Sequence, residues 1–450
     1  MKARPDVAVI GAGAAGLAAA SALVDAGARV AVYEERSGPG GLLRTDGVDV
    51  ARADVAVQLL GSYYRETFRL ARAAGAASLL TRAPGRDALW RGGRSHPISY
   101  GSVASMAVSS ALPTGLKLRL ATKYVPFLRR SRGALDANEP AAAVGSGLDR
   151  ESIAEWGRRE LGDDFVELLV YPQLAAYYGA TPEETSAGFY HALAAAGMEQ
   201  LEVYAVRGGA GELADALARA LVERGAAVRY GVEVTGVRAG PAGVDVDTAD
   251  GVVHHEAAVL AVPAASARAL AGLEGPAGEW VDGVRAAPVA SLTLVLDRPL
   301  GTGYFGLAFP RTEPPGERLA AICVQSEKAA GLPGGGRGAL VLYPSPSYAA
   351  ALVAASPREA LEALLPAVEQ AFPGLGRRVV RAKLCRFPRG GTVFYPGYLG
   401  HLQRFDPSWL GPRLALAGDY LVAPTVEGAV RSGLRAAERI LASLSGQAGS

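Results

Sequence analysis

The residues of this chain whose types and spacing can do chemistry begin with Gly11-x-Gly13-x-x-Gly16 and Glu34. Gly11 permits a tight turn, Gly13 leaves backbone bare for a pyrophosphate, and Gly16 lets a helix lie close on a sheet. Ala12 and Ala15 belong to the same turn, and Glu34 falls 18 residues beyond Gly16, where a carboxylate can accept hydrogen bonds from ribose hydroxyls. The chemistry is the grip of a dinucleotide, with free N–H groups and the positive end of a helix dipole turned toward phosphate. A second glycine pair, Gly40-Gly41, lies in the run from Glu35 and Arg36 to Leu42, Leu43 and Arg44. Backbone can crowd a phosphate there too, with Arg36 or Arg44 as counter-charge. A third cluster, Gly418-Asp419 followed by Thr425-Val426-Glu427-Gly428-Ala429, reads as a strand end, a short loop and a helix start.

These groups need elements to hold them. Residues 7–10 and 28–33 read as buried apolar strands, and 17–26 as an alanine-rich helix between them. That context separates the triplet from a chance spacing in a glycine- and alanine-rich chain. Residues 62–82 read as helical, with Tyr63, Phe68, Leu70 and Leu79 as core. Residues 149–186 read as two amphipathic helices and a turn, with a helix start at 181–184. The aromatics Tyr171, Tyr177, Tyr178 and Tyr190 either line an apolar cavity or pack as core, the commoner fate at such spacing. Residues 208–213 open a helix running to 224, followed by strands at 227–230 and 257–263. A second sheet is expected from 289–298, 322–325, 339–343 and 379–388, with a helix over 359–372.

The composition excludes several classes. The chain has 450 residues, half of them hydrophobic, enough for two or three domains with large cores. Its 46 basic and 44 acidic side chains leave a net charge of +2, which points to no nucleic-acid partner. Cys323 and Cys385 stand apart in sequence and the five histidines lack metal-ligand spacing, so no metal and a reducing compartment, the cytoplasm, are expected. The first strand starts within the first ten residues, which reads as no signal peptide, and no apolar run reaches spanning length. Residues 88–135 hold eight basic residues and no acid. Cations alternate with apolar side chains there, either as a solvated helix covering a core or as a surface that rests on anionic lipid, a peripheral membrane contact, or on an anionic substrate.

On the fingerprint, the Glu34-x-Arg36-x-x-x-Gly40-Gly41 continuation and the C-terminal cluster, the chain resembles the flavoprotein superfamily of protoporphyrinogen oxidases, carotenoid and squalene desaturases and monoamine oxidases. The run over 149–186 is most similar to the protoporphyrinogen oxidase branch, and the C-terminal AGDY…PTVEGAVRSG run to the carotene desaturases. The resemblance implies non-covalent FAD, held by the residues above, with Val234 meeting the adenine through its backbone and Asp419 on the ribityl–pyrophosphate side. The helix start at Gly428 and Ala429 would point at the flavin pyrimidine. Leu42 stands where the family usually has Arg or Lys. Ser291 stands where the amine-oxidase branch commonly has a lysine facing the flavin, and Thr425 where that branch has an aromatic residue. His401 resembles a Gly-His pair common in protoporphyrinogen oxidases. With Tyr398, in the aromatic approach over 395–401, these last three complete the catalytic candidates.

The expected fold is α/β, a Rossmann-like FAD-binding domain assembled from 1–85, 200–275 and 405–450. A helical subdomain over 86–199 and an α+β substrate domain over 276–404 would complete it. The expected function is oxidation of a bulky, largely apolar small molecule by hydride transfer to flavin N5. With a single dinucleotide fingerprint, O2 or a quinone is the acceptor. Isoprenoid desaturation, an amine oxidase-like tailoring step and non-catalytic FAD binding are the alternatives, and a homodimer is compatible with each.

Overall fold

β1 (Asp6–Ile10), α1 (Ala14–Asp25) and β2 (Arg29–Glu34) form the unit at the heart of the molecule. The computed structural model describes residues 4–83, 86–100, 102–198 and 202–447. β1 and β2 pair in parallel, Val7 opposite Val30 and Ile10 opposite Tyr33. Parallel strands covered on both faces read as unbroken apolar runs, as both of these do. The strands Ala227–Tyr230, Ala257–Leu260 and Leu414–Leu416 extend them into a five-stranded parallel sheet. Segments some 400 residues apart thus share one layer. The small side chains of α1 let the C-terminal helix Val426–Gln447 cross it closely, and any side chain on Gly433 would strike the Ala15 carbonyl.

The second sheet has seven strands, in the order Val379–Thr392, Ala286–Leu296, Gly338–Pro344, Leu319–Val324, Gly306–Ala308, Asp87–Arg91 and Arg94–Ile98. The last two correct the expectation of a helical segment starting at 86. Gly92 and Gly93, both with positive φ, make a two-residue hairpin turn, and Ala88, Leu89 and Trp90 are buried. The apolar triplet was hidden inside a stretch read for its cations. The domain boundaries drawn at 85 and at 199 and 200 fall outside the described residues.

Beyond the hairpin the basic stretch is helical, over Val103–Val108, Thr114–Arg119 and Val125–Ser131. Leu116, Leu120, Tyr124 and Leu128 are buried beneath it, while Val108 and Leu118 are exposed. Arg119 donates to the Leu161 carbonyl at 2.6 Å, and Lys123 to that of Glu160 at 3.3 Å. Among the described residues no helix is long and apolar enough to cross a membrane.

A buried polar knot ties the seven-stranded sheet to the helix Ala210–Glu223. Asp54 and Lys328 are fully inaccessible and form an ion pair. Lys328 also donates to Gln58 Oε1 at 2.9 Å. Asp54 Oδ1 accepts from Thr45 Oγ1 at 2.5 Å and from the Ala210 N–H at 2.7 Å, the latter opening the helix Ala210–Glu223. Gln58 donates in turn to the Tyr343 hydroxyl at 2.6 Å.

Candidate functional site

Between the two sheets lies a cavity of about 1830 Å³, well above the ~300–1,000 Å³ of an ordinary small-molecule site. Its first half is built by the glycine turns. Gly13 caps α1 with φ near −73° and no atom within 4 Å of where a Cβ would stand. Gly41 is nearly as open, its closest neighbour the Gly13 Cα at 3.5 Å. Side chains at either position would fill the cradle that bare backbone leaves for a pyrophosphate. Gly16 acts differently: it lies outside the wall, and a Cβ there would strike the Gly11 carbonyl, so it sets how closely α1 sits on β1.

The Glu34 carboxylate lines the cavity and accepts the N–H groups of Ala12 at 2.8 Å and Arg36 at 3.1 Å. Two oxygens so anchored keep lone pairs for a ribose. Gly11, Ala15, Glu35, Arg36, Gly40, Leu42 and Val234 are also in the wall; Ala12 is buried behind it. Arg44 is turned away, its Nε on Asp46 at 2.6 Å and its guanidinium over the Phe387 ring. From the C-terminal cluster, Gly418, Asp419, Thr425, Val426 and Ala429 line the cavity. Gly428 does not: its N–H donates to Thr425 Oγ1 at 2.9 Å, and a side chain there would strike the Ala423 carbonyl. Asp419 accepts from Thr392 Oγ1 at 2.9 Å, and burial pushes its carboxyl up to about 6.

Three catalytic candidates are corrected. Ser291 is inaccessible and donates to the Val55 carbonyl at 2.5 Å, while Pro288, Val289 and Ala290 stand in the wall. Tyr398 is buried and donates to the Tyr420 carbonyl at 2.8 Å. His401 stacks on Trp280 at 4.7 Å and bonds its carbonyl at 2.9 Å, outside the cavity, with burial lowering its pKa. Each is held by internal packing. Thr425 alone of the four faces the cavity.

The second half of the cavity lies over the seven-stranded sheet. Tyr177, Tyr178 and Tyr190 are in its wall, with Tyr100, Phe305, Leu307 and Asp87, whereas Tyr171 is buried away from it. Sequence reasoning missed Tyr100 and Asp87. The available signal was Asp87's position as the last acid before 48 acid-free residues. Among the described residues the wall contains no lysine and no histidine. The glycine cradle, the anchored carboxylate, the helix N-terminus and a cavity with room beyond them fit a flavin dinucleotide and a second molecule beside it.

Residues 14–441 match the family model described as flavin containing amine oxidoreductase. AofH of Mycobacterium tuberculosis, named for the flavin-containing monoamine oxidases, is 30% identical over 273 residues, 58% of this chain and 57% of that protein. This chain thus spans less than two thirds of that relative's length. The carotenoid phi-ring synthase of Streptomyces griseus is 29% identical over 338 residues, covering 67% of this chain and 63% of that one. Among solved structures, cyclohexylamine oxidase from Brevibacterium oxydans superposes with TM-score 0.73 at 20% identity, over 98% of this chain and 100% of its own. At that identity the likeness is one of fold.

Proposed function

The chain belongs to the flavin-containing amine oxidoreductase family and is an FAD-dependent oxidoreductase, and from that premise we propose that it oxidises a bulky, largely apolar organic molecule. Dioxygen or a quinone would take the electrons. Bound FAD supplies the hydride acceptor. The protein's own part is to grip, orient and exclude water. Gly13 and Gly41 admit the pyrophosphate to backbone, and Glu34 holds ribose. The N-terminus of Val426–Gln447 places a positive dipole end where negative charge would gather. Leu42, Val57, Val289 and Phe387 keep the reacting end of the cavity apolar.

The observation that carries the substrate class is the tyrosine-lined half of the cavity beyond the dinucleotide grip. The absence of lysine from the described wall and the small Thr425 argue against a simple primary amine as the favoured substrate. A polyene is a specific second reading, favoured by the likeness to the Streptomyces griseus protein. Anaerobic flavin bleaching tests both. Porphyrinogens or polyenes are expected to reduce the flavin faster than benzylamine or tyramine; competitive rates with those amines would overturn the proposal. A flavin reduced by dithionite but by none of these substrates would favour a binding role without catalysis.

The flavin is expected to be non-covalent. Cys323 is the sole cysteine in the described wall, and burial pushes its thiol up to about 12, away from the reactive thiolate. Acid or heat denaturation should release FAD to the supernatant. A coloured pellet would count against this.

A further inference from the structure

We propose that the basic helices Val103–Val108, Thr114–Arg119 and Val125–Ser131 dock the protein on an anionic lipid surface. Val108 and Leu118 enter the bilayer, and the cations around them meet its headgroups. Neither side chain is in the cavity wall, so this surface is independent of which molecule the cavity oxidises.

Three observations point to lipid. First, Val108 is 83% exposed and Leu118 63%, and Ala104, Ala107 and Ala121 are exposed with them. One exposed apolar residue is ordinary, whereas several on one stretch need a partner. Second, the face is organised. Leu116, Leu120, Tyr124 and Leu128 recur every fourth residue and are buried, so Leu118, Thr122 and Arg130, two positions on, back onto the opposite face. All three are exposed. Third, the cations are free. Among the described residues the side chains of Lys117, Arg129 and Arg130 form no hydrogen bond or ion pair, and Lys123 reaches only the Glu160 carbonyl. The acids of the neighbouring helices are engaged elsewhere: Glu160 with Arg159, Asp163 with Arg158 and Asp164 with Arg119. Covering the core is the work of the buried stripe alone. It does not account for a valine and a leucine set outward among unpaired cations.

An interfacial contact takes both signals, cations for attraction to the leaflet and apolar side chains for residence in it. Each cation held near an anionic leaflet raises partitioning about fivefold, so four of them suffice at low salt. The place of this face in the fold gives it a use. Val103 lines the cavity and opens the six-residue helix that ends at Val108. At the usual rise per residue, the outer tip is about 8 Å from the wall. A bilayer held at Val108 therefore lies beside the cavity, and an apolar molecule leaving the lipid has a short path to it.

The test is flotation of the FAD-loaded protein with vesicles of phosphatidylcholine alone and with about one third phosphatidylglycerol. At about 50 mM salt, binding to the anionic vesicles should exceed binding to the neutral ones about tenfold or more, and at about 500 mM it should fall about fivefold or more. Equal binding to both, or none at low salt, overturns the proposal. Arg129→Glu with Arg130→Glu changes two exposed residues outside the cavity wall. With FAD content unchanged, the pair is expected to weaken anionic-vesicle binding about tenfold or more, and an unaltered affinity overturns the proposal. Entry of the apolar face is read separately from charge. Val108→Trp should gain fluorescence that shifts to the blue on anionic vesicles and is quenched by brominated acyl chains, beyond what the four native tryptophans show in the wild type. Vesicle binding without that shift and quenching reduces the contact to surface charge and overturns the entry of Val108. Retention on heparin with no vesicle binding assigns the face to a polyanionic macromolecule and overturns the lipid reading. None of these measurements reads flavin reduction, so their failure is distinguishable from failure of the bleaching screen.

Discussion

Gly13→Leu is expected to purify as a folded protein without bound flavin, whereas Gly16→Ala, a far smaller change, is expected to compromise the fold itself. Gly13 has an ordinary backbone conformation, and its Cβ would meet nothing within 4 Å. The chain can therefore carry a side chain there. That side chain occupies the bare-backbone approach to the pyrophosphate, so affinity for FAD falls by the whole of that contact. Gly16 is packed so that one methyl would collide with the Gly11 carbonyl and crowd Ala261. Backbone cannot rotate aside as a side chain can, and relief requires moving α1 off the sheet. A loss of about 3 kcal/mol or more follows, at the upper end of overpacking effects. Flavin absorbance and far-UV circular dichroism separate the two outcomes. A yellow Gly13→Leu protein, or a Gly16→Ala protein with an unchanged urea midpoint, would contradict this assignment of roles.

Lys328→Met is expected to destabilise the protein by about 3–5 kcal/mol, because it strands the buried Asp54 charge. The damage spreads, since Asp54 also receives Thr45 and the first N–H of Ala210–Glu223, and Lys328 orients Gln58 beneath the cavity. Adding Asp54→Asn should recover a large part of the loss. Its amide oxygen still accepts those donors, but no charge remains uncompensated. Urea unfolding of the two variants measures both steps. A double variant no more stable than Lys328→Met would show that the pair acts through geometry and not through charge.

The ion pair joins residues 274 positions apart, and neither member carries a local signature. The dinucleotide grip is the opposite case. A turn with positive φ at Gly11, bare backbone at Gly13, close packing at Gly16 and an acid at the end of the next strand all lie within one strand–helix–strand unit. Short-range backbone geometry dictates them, so residue type and spacing suffice to find them. The same holds for the start of the C-terminal helix, and for the continuous apolar runs that identify strands covered on both faces.

Facing and long-range pairing were decided only by the tertiary structure. Ser291 directly follows Pro288, Val289 and Ala290, all in the cavity wall, yet its hydroxyl turns to the Val55 carbonyl, a partner 236 residues away that the local sequence does not reveal. His401 and Tyr398 lie on a short helix whose inward face meets Trp280 and Tyr420, and no feature of their own sequence says so. The tyrosines at 177, 178 and 190 have the spacing of core residues and became cavity wall because the opposite surface is the sheet with Asp87 at its far side. Asp87 itself is one acid among 44 until the sheet brings Gly306 beneath it and Tyr100 and Tyr177 beside it. Local backbone chemistry is written in consecutive residues; the surroundings of a side chain are set by elements that meet only when the chain has folded.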